Sequence, residues 1–187
     1  MRILGIDPGS VVCGYGVIDV EGSRITLVEY GVIEAKKKQA SFPFRLQDIH
    51  ARLCSVIERS KPDACAMEQV FYAKNVLSVV KLSHARGVAV LACAQGGMEP
   101  HEYTPMQVKR SVTGSGRSAK EQVGFMVRTM LKIKETPQFF DATDALAVAI
   151  CHALNGGTPA SGRSRTSKRS SWAEYVKKNP NRVTSDK

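Results

Sequence analysis

The feature that most restricts the fold of this chain is its opening 35 residues, where three apolar runs follow one another on short turns. Ile3-Leu4-Gly5-Ile6 ends on Asp7, with Pro8-Gly9-Ser10 directly behind it. CGYGVIDV (13–20) and RITLVEYGVIEA (24–35) come next, separated by Glu21-Gly22-Ser23. Apolar runs bounded by turn residues form strands, and successive strands on short turns pair antiparallel. The pattern predicts a three-stranded antiparallel meander over 2–7, 13–20 and 24–35. Gly14 and Gly16 weaken a strand, and they mark a close approach of another backbone near the Asp7 turn.

After KKKQAS the period changes from strand to helix. Leu46, Ile49, Leu53, Val56 and Ile57 follow helical spacing from Pro43, and Lys61-Pro62-Asp63 ends that helix. ACAMEQV (64–70) is a short buried strand. A helix over 75–94 begins at Asn75 and stops before Gly96-Gly97. It is apolar around much of its circumference (Val76, Leu77, Val79, Val80, Leu82, Val88, Leu91), which suits either a central helix or one that packs on a partner subunit. HEYT (101–104) is the fifth strand. Thr104-Pro105-Met106-Gln107 and Ser118-Ala119-Lys120-Glu121 are both capping-box patterns, opening helices over 105–112 and 119–133. DATDALAVAICHAL (141–154) is the last core helix. The order predicts a mixed α/β domain, 1–155, with a five-stranded sheet flanked by helices.

From Gly156 the composition turns to Ser, Thr, Arg, Lys and Pro, as in a disordered tail. Residues 156–187 hold eight Lys/Arg against two Asp/Glu, so most of the net charge of +10 lies there. A basic balance favours polyanions such as nucleic acid, but charge gathered in a tail says little about the domain. Ser171-Trp172-Ala173-Glu174 repeats the capping-box pattern around the one Trp of the chain, marking 171–178 as a docking helix or as solvated tail. No apolar run reaches the ~18 residues of a membrane span, and the N-terminus begins its strand at once, with no charged n-region or h-region, so no signal peptide is expected. The five cysteines (13, 54, 65, 93, 151) lack metal-type spacing and read as reduced core residues of a cytoplasmic protein.

Four acids stand where acids are unusual. Asp7 closes an apolar strand, though Asp before Pro-Gly is also ordinary turn chemistry. Glu68 lies inside CAMEQV, where Val or Ile is expected; it needs a basic partner, a metal, or solvent at the strand end. Asp141 and Asp144, at i and i+3, share one helix face and repel unless a cation lies between them, although acids also suit a first helical turn. If the first and fourth strands are neighbours, all four meet at one end of the sheet. Oxygen ligands without His or Cys select a hard cation, Mg²⁺ or Mn²⁺. A pair of such ions ~4 Å apart is an arrangement that hydrolyses phosphodiesters. His84, His101 and His152 are better explained as fold residues than as ligands.

GIDPGSVVCGYGVI, MEQVFYAKN, TPMQVKRSVTGSGRSAKEQV, MVRTML and DATDALAVAICHA together resemble the RuvC family of Holliday-junction resolvases, in family order over residues 1–155. The resemblance implies a ribonuclease H-like fold and a homodimer that nicks two opposed strands of a four-way DNA junction, in recombination and repair. It implies Asp7, Glu68, Asp141 and Asp144 as catalytic metal ligands, two Mg²⁺ ions per site, and 5′-phosphate and 3′-hydroxyl products. It also implies the RuvA–RuvB branch-migration complex as a partner. Phe71 would be a base-stacking wedge and Tyr72 a second aromatic beside it. Lys74, Lys109, Arg110, Arg117 and Lys120 would face phosphates, with Lys109 and Lys120 closest to the cleaved one.

Three other readings compete. An actin-like or sugar-kinase ATPase needs a second lobe for which 187 residues leave no room. A ribonuclease H acting on RNA–DNA hybrids would share the metal chemistry, but the Phe71 block and the apolar 75–94 helix argue against it. A non-catalytic DNA-binding module would have no need of four convergent acids.

Overall fold

A computed structural model describes residues 1–35, 41–69, 75–134 and 140–155. The N-terminal meander forms as the apolar runs require. β1 (Arg2–Asp7) pairs antiparallel with β2 (Val12–Glu21), and β2 pairs antiparallel with β3 (Arg24–Glu34). Glu21 faces Arg24 across a turn of two residues, where Gly22 has φ +59°, a conformation glycine adopts freely. The other edge of β1 pairs parallel with β4 (Ala64–Glu68), and β4 pairs parallel with β5 (His101–Tyr103). The sheet order is β3-β2-β1-β4-β5, with β1 at the centre.

Among the described residues, five helices cover the sheet: α1 (Phe42–Ser60), α2 (Val76–Gln95), α3 (Pro105–Thr113), α4 (Lys120–Leu131) and α5 (Phe140–Leu154). Strand alternation divides the core in two. Leu4 and Ile6 of β1, with Cys65 and Met67 of β4, pack against Ile49 and Leu53 of α1 and Ala89 and Cys93 of α2. Ile3, Ile18, Ala66 and Tyr103 point the other way, against Val108 of α3, Val127 of α4 and Leu146 and Ile150 of α5. The result is three layers, helix–sheet–helix.

α5 is the central helix, buried from Ala145 through His152. α2 is not: it buries only Ala85, Ala89, Ala92 and Cys93, leaving Val76 and Leu77 more than 70% exposed (72% and 71%). α2 is also long and apolar enough to cross a membrane by length and composition, a match that counting uninterrupted apolar residues misses. Its Arg86 is held 2.6 Å from Glu102 of β5, and its alanine stripe packs on α1 and the sheet.

The helix starts test the capping patterns. Asn75 caps α2, its Oδ1 accepting from the Ser78 N–H, and Thr104 and Gln107 make the full capping box of α3. The box expected at Ser118 does not form. Ser118 is buried, its hydroxyl 2.7 Å from Thr113 Oγ1, so α4 starts one residue later with Ala119 at the cap and no side-chain hydrogen bond. The partner that wins is five residues back, across a glycine loop, where a short local motif cannot register it.

The cysteines are free, and four of the five are buried, as expected. His152 is buried in α5, its Nδ1 2.8 Å from the Tyr103 hydroxyl and its ring stacked 4.5 Å from that of His101. The 171–178 segment lies outside the described residues.

Candidate active site

Asp7 is the last residue of β1, opposite Gly14 of β2. Ile6 aligns with Met67 in the parallel pair, so Asp7 and Glu68 each follow a matched position and end adjacent strands at one level. Alternation turns both toward the face covered by α5, where Asp141 and Asp144 occupy that helix's first turns. Three glycines let α5 lie this close. A Cβ at Gly5 would fall on the Ala145 carbonyl, one at Gly14 on the Asp141 carbonyl, and one at Gly16 2.5 Å from Leu146 Cδ2. Gly14 and Gly16 have the role read from their positions. Gly5 does as well, and its signal was a glycine inside an otherwise unbroken apolar run.

Crowding four acids at the edge of a core has an electrostatic cost. Burial pushes the Asp7 carboxyl up to about 7, and the negative charges of Asp144, Asp141 and Glu68 push the same way, against Lys120. Glu68 is raised by burial and by Asp144, with Lys109 and Lys120 opposing. Asp144 is raised by burial and by Asp141, and held back by Lys120, whose Nζ lies 2.5 Å from Asp144 Oδ2. Burial works against the Lys120 charge, yet the bond to Asp144 keeps it above its ordinary value. The acids are thus short of positive charge, and one lysine supplies part of it.

Glu68, Asp144, Lys109 and Lys120 rim a cavity of about 260 Å³ whose remaining wall is Pro105, Val108, Val123 and Ala147. Lysines from two helices therefore face the acids that end the sheet. Arg110 and Arg117 are exposed, on α3 and the following loop, and line no part of this cavity. Phe71, Tyr72 and Lys74 lie outside the described residues. One residue beside the acids was not legible beforehand: Phe140, directly before Asp141, is 55% exposed with its ring 5.5 Å from Lys120 Nζ.

The donor set suits a hard divalent cation: several carboxylates, partly desolvated, with no imidazole or thiolate among them. Among the described residues no three His, Cys, Asp or Glu side chains already close on a single point. The unmet charge around Asp7 and the lysine drawn onto Asp144 are what such a cation would relieve.

The family model described as crossover junction endodeoxyribonuclease RuvC matches residues 3–152. A RuvC of Alkaliphilus metalliredigens is 46% identical over 156 residues, 83% of this chain and 94% of the relative. Similarity to the RuvC of Bacteroides fragilis runs on through the basic tail, at 41% over 183 residues, 97% of this chain and 95% of the relative. Among solved structures, T. thermophilus RuvC in complex with a Holliday junction superposes with a TM-score of 0.78 at 36% identity, covering 83% of this chain and 94% of that one. The yeast mitochondrial Holliday junction resolvase shares the fold alone, with a TM-score of 0.61 at 14% identity over 81% of this chain and 77% of that one. The five-stranded mixed sheet with its flanking helices is thus ribonuclease H-like. Family blocks and fold agree over the same stretch of sequence, and this chain belongs to the RuvC family of crossover junction endodeoxyribonucleases.

Proposed function

We infer that this protein is a divalent-metal-dependent endodeoxyribonuclease that resolves Holliday junctions during recombination and repair. The observation that carries the reading is the convergence of Asp7, Glu68, Asp141 and Asp144 at one sheet end, faced by Lys109 and Lys120, in a chain of this family. The four acids would hold the metal, two Mg²⁺ per site with Mn²⁺ as the alternative. Bound there, divalent ions would supply an activated water and charge neutralisation at the leaving 3′ oxygen, which would give 5′-phosphate and 3′-hydroxyl ends.

The chain's own residues do the rest. Asp7 and Glu68, on adjacent strands, fix half of the ligand set on the most rigid part of the fold. Asp141 and Asp144 bring the other half on α5, at a height set by the glycines beneath it. Lys109 and Lys120 offer two positive charges to a phosphate entering the cavity. Arg110 and Arg117, exposed on α3 and on the loop after it, bind phosphates further out, and Phe71, Tyr72 and Lys74 contact the junction.

Nicking two opposed strands needs two such sites, and α2 offers the surface for a homodimer. Its exposed Val76, Leu77, Val80 and Leu91 form an apolar face, continued by a groove with Leu46, His84 and Val88. We assign the nuclease to residues 1–155 and a separate, accessory role to the basic tail 156–187. A RuvA–RuvB branch-migration complex is the expected partner, in the cytoplasm where the DNA is.

The test is incubation with a synthetic four-way junction, a linear duplex and an RNA–DNA hybrid, each with and without Mg²⁺. Paired, ligatable nicks in the junction alone, only with Mg²⁺, are expected. Equal or faster cleavage of the hybrid would replace this reading with a ribonuclease H activity.

A further inference from the structure

We propose that Phe140 stacks on a nucleobase flanking the cleaved phosphate, so that an aromatic ring of α5 positions the strand in the active site. The proposal rests on the reading of the four acids as the nuclease centre.

Three large aromatic side chains are prominently exposed among the described residues: Phe44 in the first turn of α1, Phe125 midway along α4, and Phe140. Only Phe140 adjoins the acids. It begins α5 one residue before Asp141, while the two residues after Asp141, Ala142 and Thr143, are buried. The ring therefore stands at the rim of the core and leaves apolar area in water that an inward-facing residue would remove. One charged neighbour is informative. Lys120 Nζ lies 5.5 Å from the ring centroid, within cation–π range, and 2.5 Å from Asp144 Oδ2. A single ammonium thus links the ring to the acids. A phosphate that takes Lys120 as its partner arrives beside the ring, and the base attached to that nucleotide, or to the next, is the flat apolar group available to cover it. Every base has a π-face, so stacking fixes the strand without demanding one sequence, and it strengthens with the larger ring system of a purine.

The test is a cycle between ring and base. Junctions carry either a normal nucleotide or an abasic one immediately 5′ or 3′ of the cleaved phosphate, and single-turnover nicking is measured at sub-saturating enzyme for wild type, Phe140→Ala and Phe140→Trp. Truncation should slow nicking of the normal junction by roughly 5- to 150-fold, the fold-change equivalent of losing one base–aromatic stack. At one of the two positions the abasic substitution should slow wild type by a similar factor and Phe140→Ala by less than about twofold, because the two losses are one interaction. Phe140→Trp should restore both the rate and the sensitivity to the abasic site. Melting temperatures should stay within a few degrees of wild type, and Phe140→Leu, which keeps apolar bulk without a ring, should behave as Phe140→Ala. Losses that multiply independently at both positions would overturn the proposal, since a ring that merely props Lys120 slows every junction alike. If Asp7→Asn, assayed alongside, kept its nicking, the active-site reading itself would fall instead.

Discussion

Lys120 Nζ sits 2.5 Å from Asp144 Oδ2, so a cation from the protein already stands on one of the four gathered acids. A divalent ion that takes Asp144 Oδ2 must displace this ammonium, and one on the other oxygen still meets its charge; a DNA phosphate is the partner that can receive the lysine. Two roles for one lysine predict opposite effects of its removal. Lys120→Ala should bind Mn²⁺ several-fold more tightly in calorimetry without DNA, since it loses a charge worth on the order of 1 kcal/mol at a partly exposed site. The same variant should nick junctions at least about tenfold more slowly, through the lost phosphate contact. Mn²⁺ affinity that is unchanged or weaker would show that the lysine does not compete with the metal.

The acids also write themselves into the pH dependence of stability. Asp7, raised by burial and by its acidic neighbours to about 7, holds a proton in the folded chain that the unfolded chain loses near 3.8. Its contribution is therefore full below about pH 4 and is lost as pH rises through 7. His152 acts in the opposite sense. Burial and the neighbouring His101 lower it to about 4, so its contribution is present above 6.5 and is lost as pH falls toward 4. In EDTA, Asp7→Asn should melt higher than wild type at pH 8, by about 5 °C for a gain near 2 kcal/mol, and the two should converge toward pH 4. With Asp7 gone, the acid-side loss from His152 should be steeper than in wild type. Adding Mg²⁺ at pH 8 should raise the wild-type melting temperature and move that of Asp7→Asn far less. Equal shifts in both would remove Asp7 from the ligand set.

Gly14 tests how the helix that carries half of the acids is seated. A Cβ there meets the backbone of Asp141, which cannot turn aside as a flexible side chain would. Gly14→Ala should cost about 1–3 kcal/mol of stability, as overpacking does, read as a fall in denaturation midpoint. It should also weaken Mg²⁺ stabilisation by moving Asp141 away from Asp7. A variant as stable as wild type would mean that α5 has room to move.

Much of this arrangement was legible beforehand, for reasons that differ from residue to residue. The meander and the helices declared themselves by period, and Asp7 and Glu68 by being charged where a strand should be apolar. What escaped was contact across sequence distance. Ser118 has the local pattern of a cap, yet its hydroxyl is taken by Thr113. The apolar sequence 75–94 suits either a central helix or one that packs on a partner subunit, and nothing local decides between them; the centre goes to α5, whose Ala145 and Ala149 lie against Gly5 of the sheet. Phe140 carries no local signal of its own; its place at the start of α5 puts it at the rim.

The proposed separation of the basic tail from this machinery is open to a direct test. Removing 156–187 deletes eight Lys/Arg and two Asp/Glu but none of the four acids. Binding to all DNA forms should weaken and its salt dependence flatten, because fewer counterions are released. Nicking at saturating protein should survive. Loss of all nicking by a truncated chain that still folds and binds junction would put part of the active site in the tail.

The most direct measurement of the central claim is nicking of a synthetic four-way junction by Asp7→Asn in Mg²⁺, with junction binding followed in parallel. The change keeps the shape of the side chain and removes one negative charge from among the four acids. If these acids hold the catalytic metal, nicking is lost while junction binding is kept or tightened, since less charge repels the phosphates. Nicking near the wild-type rate would contradict the account.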